Sequence, residues 1–508
     1  MGELLDAIWE FKEREHTFSV DKTGVLSYFD VYHFIEKHRE SEAFTGENQH
    51  IGIFLGNSNQ YVKWFCLCLA AGAVVVPINP ASSEYELYNY IASCDLDTLI
   101  LSQNAPVMPE EKKLKKRLRL IFAETEEEKL LGKELFWPDK AETGFLELIA
   151  TSGSSGQPKR VMLTEENLVT NAKDIIRSLG YTSRERFFVL LPLCFASANT
   201  SQLIVCILLG ASLYLYGGVH HPKQIWLACA ESGATTMTVV PSLLQVLVRS
   251  GYTDTVRKEQ GWNLRTLCYG GGITSESLRE KAVLLLAPVN VVHMYGQTEA
   301  STRISHLHAE KYFEKRGSVG RGLEHIIVRV VREDGSGCLP GERGEIIVCG
   351  GNVMKGYYRD KEQTEKTLRN GWLHTGDIGY LDEEGYLFIT GRLKNVIITS
   401  GINVYPEEIE HILMEEERLK QVLVYGVESE VYGEEIAVKA VLKEGAVLST
   451  AELFAYCKER LPQFKMPHFI EFVAALETTP NGKIRRRKGE VLYGEGKRNQ
   501  GVSEMSDF

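Results

Sequence analysis

The nine residues Thr151-Ser-Gly-Ser-Ser-Gly-Gln-Pro-Lys159 hold the densest set of groups able to grip phosphate. Glycine lets backbone approach an anion closely, hydroxyls and N–H groups donate to its oxygens, and a lysine supplies a point charge. The Walker ending, Gly-Lys followed by Ser or Thr, is missing. Taken alone, a Ser/Gly-rich stretch also reads as a plain linker. Strand-like residues 145–150 before it and apolar residues 161–163 after it favour a site. A second lysine, Lys483 in Pro480-Asn-Gly-Lys-Ile-Arg485, sits at a turn tip, where lysine is ordinarily just solvated.

The elements that carry these groups alternate. Residues 51–55 read as a buried strand and 57–71 as a helix. Residues 74–76 and 99–101 read as strands, with 83–93 as a helix between them. That order implies parallel β-α-β units. It recurs where the strand 235–240 precedes a helix opening at Pro241. The charged stretch 110–119 reads as a solvated helix face. From about Gly341 short β-rich pieces with turn signals appear. After Pro406 a compact α/β pattern starts afresh, with strands at 422–427 and 436–441 and a helix opened by the capping box Ser449-Thr-Ala-Glu452. The expected fold is α/β: a large multi-layer N-terminal domain with a β-rich subdomain, residues 1–391, and a small mobile α/β domain, 395–495. Residues 392–394 form the hinge, and 496–508 a tail.

Bulk properties bound the function. A chain of 508 residues exceeds one core. Its net charge of -11 argues against a nucleic-acid partner. The ten cysteines show no paired CxxC spacing and read as reduced core thiols of a cytoplasmic protein. The longest apolar run, 64–76, is interrupted by Gly72 and falls short of the ~20 residues of a membrane span. The opening Met-Gly-Glu-Leu-Leu-Asp has no basic region leading into an apolar one, so no secretory signal is expected. The pair His220-His221 reads as a surface turn, and no metal is assigned to it.

Six segments in order resemble the adenylate-forming superfamily, closest in pattern to its stand-alone acyl-CoA ligases. The 151–159 loop resembles its phosphate loop, with Thr151, Ser152, Gly153, Ser154, Ser155 and Gly156 around phosphate and Lys159 catalytic. Where the family usually has glycine after Pro-Lys, this chain has Arg160, which would restrict the loop or add a phosphate contact. Tyr269-Gly-Gly-Gly272 resembles the strand end beside adenine and the acyl carbonyl. In Tyr295-Gly-Gln-Thr-Glu299 the resemblance implies a ring on adenine, Gly296 and Gln297 in the nucleotide site, Thr298 on phosphate and Glu299 on Mg²⁺, a hard cation suited to oxygen ligands. Gly371-Trp-Leu-His-Thr-Gly-Asp377 implies Asp377 on both ribose hydroxyls. Gly391-Arg-Leu-Lys394 implies Arg392 near ribose and phosphate, with Lys394 as pivot. Lys483 matches the family's catalytic lysine. The implied cofactors are ATP, Mg²⁺ and coenzyme A, or the phosphopantetheine of a carrier protein.

The chemistry is coherent. A carboxylate resists attack by a thiolate because its leaving group would be oxide; exchange of that oxygen for AMP supplies a good leaving group. The enzyme must hold two anions together, so cationic groups and Mg²⁺ offset repulsion as charge builds. Leu190-Leu-Pro-Leu-Cys-Phe-Ala-Ser197 resembles the acyl-pocket segment. Phe195 stands where amino-acid-activating relatives place an aspartate, and a buried ammonium without that partner is costly. Phe195 is therefore read as pocket wall with Gly270 and Gly271, or simply as core. A fatty or other uncharged acid is expected, with an aryl acid as the alternative. Coenzyme A is the expected acceptor, ahead of a separate acyl-carrier protein. A non-catalytic acyl-nucleotide sensor is the contrasting reading that Arg160 raises; Lys483, Glu299, Asp377 and Arg392 stand against it.

Overall fold

The computed structural model describes residues 2–13, 15–41, 43–44, 48–114, 117–132, 142–151, 159–217, 221–272, 274–399, 402–429, 432–478 and 484. Among these, four sheets carry the fold. One sheet is built around His50–Phe54, paired in parallel with Val74–Pro77 and Thr98–Leu101. The intervening helix Asn59–Ala70 is capped by the Ser58 hydroxyl, and Glu84–Ser93 by a Ser83/Glu86 capping box. Each cap satisfies N–H groups that the first turn leaves without partners. The longest apolar run is thus a buried helix passing into a buried strand. Glu147–Thr151 joins this sheet beside Val74–Pro77 and turns back antiparallel as Lys159–Leu163.

A second sheet has a parallel centre in the order Asn290–Tyr295, Thr266–Gly270, Thr236–Val239, Arg186–Val189, Ser212–Leu215. Helix Glu165–Leu179, capped by Thr164 and stopped by left-handed Gly180, lies against it. The third sheet is antiparallel and includes Ile326–Val331, Gly344–Gly350, Trp372–Leu381 and Leu387–Arg392. Strands from Ile397 onward make the fourth, around the long hairpin Leu419–Ser429 and Gly433–Leu442. Its helix Thr450–Arg460 opens on the Ser449/Glu452 capping box.

One expectation is corrected. Residues 110–119 do not present one helix face: a 3-10 turn spans Glu111–Lys113, and Leu118–Phe122 is a strand beside Thr98–Leu101. The buried side chains of Leu118, Leu120 and Ile121 decide it, while Lys112 and Lys113 pair with Glu110 at the surface. Eight of the ten cysteines are buried, and among the described residues all are free thiols. Burial pushes those of Cys194, Cys229 and Cys457 up to about 12, which leaves them inert.

Glu147 is the exception to an otherwise apolar strand. It is wholly buried, and among the described residues neither carboxylate oxygen makes a well-formed hydrogen bond. Burial pushes its carboxyl up to about 8, with only the Asn199 amide nearby to offset this. The unfolded chain ionises near 4.3, about the usual value. The folded state therefore binds the extra proton between those values, and stability falls as pH rises through that window. Glu147→Gln removes this dependence. Its stability advantage over the parent should grow from pH 4 to pH 8, by about 1.4 kcal/mol per unit at most, in urea titrations. Parallel pH curves for the two proteins would show that Glu147 is not protonated in the folded state.

Candidate active site

The candidate nucleotide-site residues gather at the C-terminal ends of the second sheet's parallel strands, where α/β folds place ligands. Tyr295 ends its strand, and the chain reverses at once. A Cβ on Gly296 would come 1.8 Å from the Thr302 carbonyl oxygen, so only glycine fits. The turn is tight: Thr298–Ala300 is a 3-10 turn, Ser301 and Thr302 have φ of 54° and 100°, and Ile304 N–H donates to Tyr295 O at 2.9 Å. This backbone holds Gln297, Thr298 and Glu299 half-buried at the mouth.

Two polar clusters form around that turn. In the first, the Tyr295 hydroxyl donates to Asp377 Oδ2 at 2.7 Å and Arg392 Nε reaches Asp377 Oδ1 at 2.5 Å. Asp377 is 3% exposed, and it faces Arg392 across the antiparallel pair in strand register. Its charge raises the Arg392 guanidinium above its ordinary range, while burial and the same carboxylate raise the Tyr295 hydroxyl. In the second, the Tyr357 hydroxyl donates to Glu299 Oε1 at 2.8 Å. Lys159 Nζ lies 4.5 Å from the centre of the Tyr357 ring and 3.0 Å from Gln363 Oε1. Strand Gly356–Tyr357 brings this about by pairing with Lys159–Leu163.

Gly270 pairs in register with Met294, and a Cβ there would meet the Met294 carbonyl oxygen at 2.5 Å. Gly271 has φ of +86°, and Gly272 lies against Pro241. Phe195 is half-buried at the head of the short helix Ala196–Ala198, with its backbone hydrogen bonds local. No described hydrogen bond ties it to Gly270–Gly272. The loop before it is clamped by Asn57, which donates to Leu191 O at 3.0 Å and accepts from Leu193 N–H at 2.8 Å. Lys394 sits exposed in the 3-10 turn Leu393–Asn395. Thr151 ends the strand that precedes residues 152–158. Ser152, Gly153, Ser154, Ser155, Gly156, Lys483 and His220 lie outside the described residues, although Ile484 bridges Thr478 antiparallel.

Two family patterns match the chain. The AMP-binding enzyme pattern matches residues 39–358, and the AMP-binding enzyme C-terminal domain matches 408–483. The chain belongs to the AMP-binding enzyme family. Feruloyl-CoA synthase of Amycolatopsis sp is 33% identical over 442 residues, covering 86% of this chain and 87% of its own. The 2-succinylbenzoate–CoA ligase of Bacillus cereus is 30% identical over 489 residues, covering 94% and 96%. The o-succinylbenzoate CoA synthetase of Bacillus subtilis, solved with the acyl-adenylate OSB-AMP, aligns at TM-score 0.83 and 26% identity over 97% of this chain and 99% of that one. The same synthetase with ATP and magnesium ion aligns at 0.82 and 26%, over 96% and 98%. Membership of this AMP-binding family makes the chain an AMP-forming acid–thiol ligase of the acyl-CoA synthetase type.

Tyr357 and Asn57 escaped sequence reasoning, because only strand pairing and loop packing bring them to the site. The phosphate contact considered for Arg160 is corrected. Successive strand residues face opposite ways, so Arg160 points away from Lys159. It is 4% exposed, its Nε donates to Ser93 Oγ at 3.1 Å, and its guanidinium lies 4.1 Å from the Tyr90 ring centre. It braces the strand against helix Glu84–Ser93. Arg160→Gly should therefore cost about 2 kcal/mol of stability in urea titration, with the KM for ATP unchanged. A raised KM for ATP at unchanged stability would return Arg160 to the phosphates.

Proposed function

We propose that this chain activates a carboxylic acid lacking an α-amino group with ATP, releasing pyrophosphate, and passes the acyl group to coenzyme A. The observation that carries this reading is the convergence of Tyr295, Asp377 and Arg392 beside Glu299, Tyr357 and Lys159. In the first step a carboxylate oxygen bonds to the α-phosphorus while the bond to the β-phosphate bridging oxygen breaks. Asp377 accepts from the ribose hydroxyls, Tyr295 faces adenine, and Lys159 with the 151–156 loop takes the phosphates. Lys483 delivers positive charge to the α-phosphate. Glu299, backed by the Tyr357 hydroxyl, is an oxygen donor suited to Mg²⁺, which supplies charge compensation when bound. In the second step the thiol sulfur, losing its proton, bonds to the acyl carbon and AMP leaves.

The second step needs other neighbours, and the proposed hinge at residues 392–394 supplies them. On this reading residues 1–391 form the larger domain and 395–495 the domain that swings about Lys394. A Cβ on Gly391 would come 2.9 Å from Tyr405 and Glu407, so the glycine permits close approach of helix Pro406–Leu413 at the junction. In the orientation described here Glu276 N–H donates to Glu415 Oε1 at 2.9 Å, and Arg343 pairs with Glu408 at 2.7 Å. The first is a partly buried hydrogen bond from a backbone amide to a carboxylate, and the second is an ion pair. The relatives carrying coenzyme A in their names support that acceptor, and no observation favours a carrier protein. Those named for an acid carry ferulate or succinylbenzoate, so a fatty tail rests on Phe195, Gly270 and Gly271 alone. Among the described residues no helix is long and apolar enough to cross a membrane.

The test separates the two half-reactions. Acid-dependent pyrophosphate release is expected over a screen of aryl, aliphatic and amino acids, with thioester appearing when coenzyme A is added. Lys483→Ala should lose at least about a hundredfold in pyrophosphate release, yet convert a supplied acyl-adenylate to thioester at close to the parental rate. Equal loss in both steps, in a folded protein, would remove Lys483 from its role.

A further inference from the structure

At the end of the second sheet away from the candidate nucleotide site, the starts of three parallel strands border a cleft of about 630 Å³. Small-molecule sites span roughly 300–1,000 Å³. Arg184 and Arg186 line it at the start of Arg186–Val189, Gly233 and Thr235 just before Thr236–Val239, and Trp262, Asn263 and Arg265 just before Thr266–Gly270. These strands are neighbours in the sheet. The five residues of Thr266–Gly270, at ~3.3 Å each, set the cleft about 17 Å from Gly270. It is a place of its own, apart from the residues around Tyr295.

Charge in the cleft is of one sign. None of its lining side chains is acidic. Glu185 lies close by, but it is 5% exposed and already occupied: Arg265 Nη2 donates to its two oxygens at 2.8 and 2.9 Å, and the Thr235 hydroxyl donates at 2.6 Å. Glu185 therefore neutralises Arg265 and leaves Arg184 and Arg186. Both are exposed, and among the described residues no carboxylate pairs with either. The Arg186 guanidinium donates to the Ser232 carbonyl, which carries no charge. A Cβ on Gly233 would stand 3.4 Å from Arg186 Nη1 and 3.6 Å from Asn263 Nδ2, so both donors border the space that this glycine leaves open. Trp262 adds an aromatic wall, its ring 4.9 Å from that of Trp226. A cleft lined by charge of one sign focuses its field and concentrates ligands of the other.

We propose that this cleft is a second binding site, separate from the candidate nucleotide site, and that it takes the phosphate dianion of a small soluble ligand. The phosphate sits between Arg184 and Arg186 and accepts from the Asn263 amide. Two guanidiniums without counter-charge match two negative charges, and the phosphate oxygens suit the planar forks of arginine. The same chemistry is offered by a phosphomonoester, whose organic part would lie against Trp262, and by free phosphate. The proposal is independent of the ligase reading, since no residue of the cleft belongs to the proposed mechanism.

Trp262 allows the cleft to be observed directly. In the full chain carrying isotope-labelled tryptophan, the Trp262 indole N–H resonance, assigned by its loss in Trp262→Phe, should move on titration with phenyl phosphate and with inorganic phosphate. Ionic strength is held constant with chloride, so that general screening cancels. Tighter binding of phenyl phosphate assigns the site to an organic phosphate, and tighter binding of inorganic phosphate assigns it to the free ion; either outcome supports the dianion site. Phenyl sulfate, similar in shape with a single charge, should bind at least about tenfold more weakly. Arg184→Gln combined with Arg186→Gln should weaken phosphate binding by at least about tenfold. Arg184→Gln alone, at an exposed side chain, decides by the same direction of change where the double variant fails to fold. A Trp262 resonance unmoved by both phosphates, equal affinity for phenyl sulfate, or unchanged affinity in the arginine variants overturns the proposal.

Discussion

The ion pair between Asp377 and Arg392 is the constraint around which the rest is arranged. The carboxylate is almost fully buried, and both its oxygens are occupied, one by the guanidinium and one by the Tyr295 hydroxyl. A buried charge of this kind is tolerable only while its partners stay in place; removal of one typically costs about 3–5 kcal/mol. Three chain segments are therefore locked together: the end of a parallel strand, an antiparallel strand of another sheet, and the last residue before the turn bearing Lys394. In the proposed mechanism the ribose site and the root of the hinge thus share one interaction. Nucleotide binding and domain orientation cannot be tuned separately there.

Around this pair the backbone leaves little freedom. Gly296 has a carbonyl where a side chain would go, and Gly270 packs directly on the neighbouring strand. These contacts fix the height at which Thr298 and Glu299 emerge from the sheet. Tyr357 then holds the Glu299 carboxylate from a strand belonging to the other sheet. The site's precision comes from close backbone approach at strand ends.

Much of this was legible in the sequence because its signals are local. The β-α-β alternation, the Ser449 capping box and the run of six motifs each depend on residues a few positions apart. What stayed hidden depends on pairing between distant segments. Arg160 follows Lys159, yet strand alternation sends the two side chains to opposite faces, one to the phosphates proposed for the loop and one to Tyr90. Tyr357 and Asn57 gain their meaning only from the strands and loops that meet them. The stretch at 110–119 misled because its surface charges outweigh Leu118, which the sheet buries together with Leu120 and Ile121 just beyond the stretch.

In the proposed mechanism Asp377 accepts from a ribose, and this can be measured without altering the protein. Binding of AMP and of 2′,3′-dideoxy-AMP to the full chain should be compared by calorimetry. Hydrogen bonds to a charged acceptor are each worth about 1.5–3 kcal/mol, so loss of both hydroxyls should weaken binding by at least about tenfold. Equal affinity for the two nucleotides would contradict the placement of ribose on Asp377, and with it the link between the nucleotide site and the hinge.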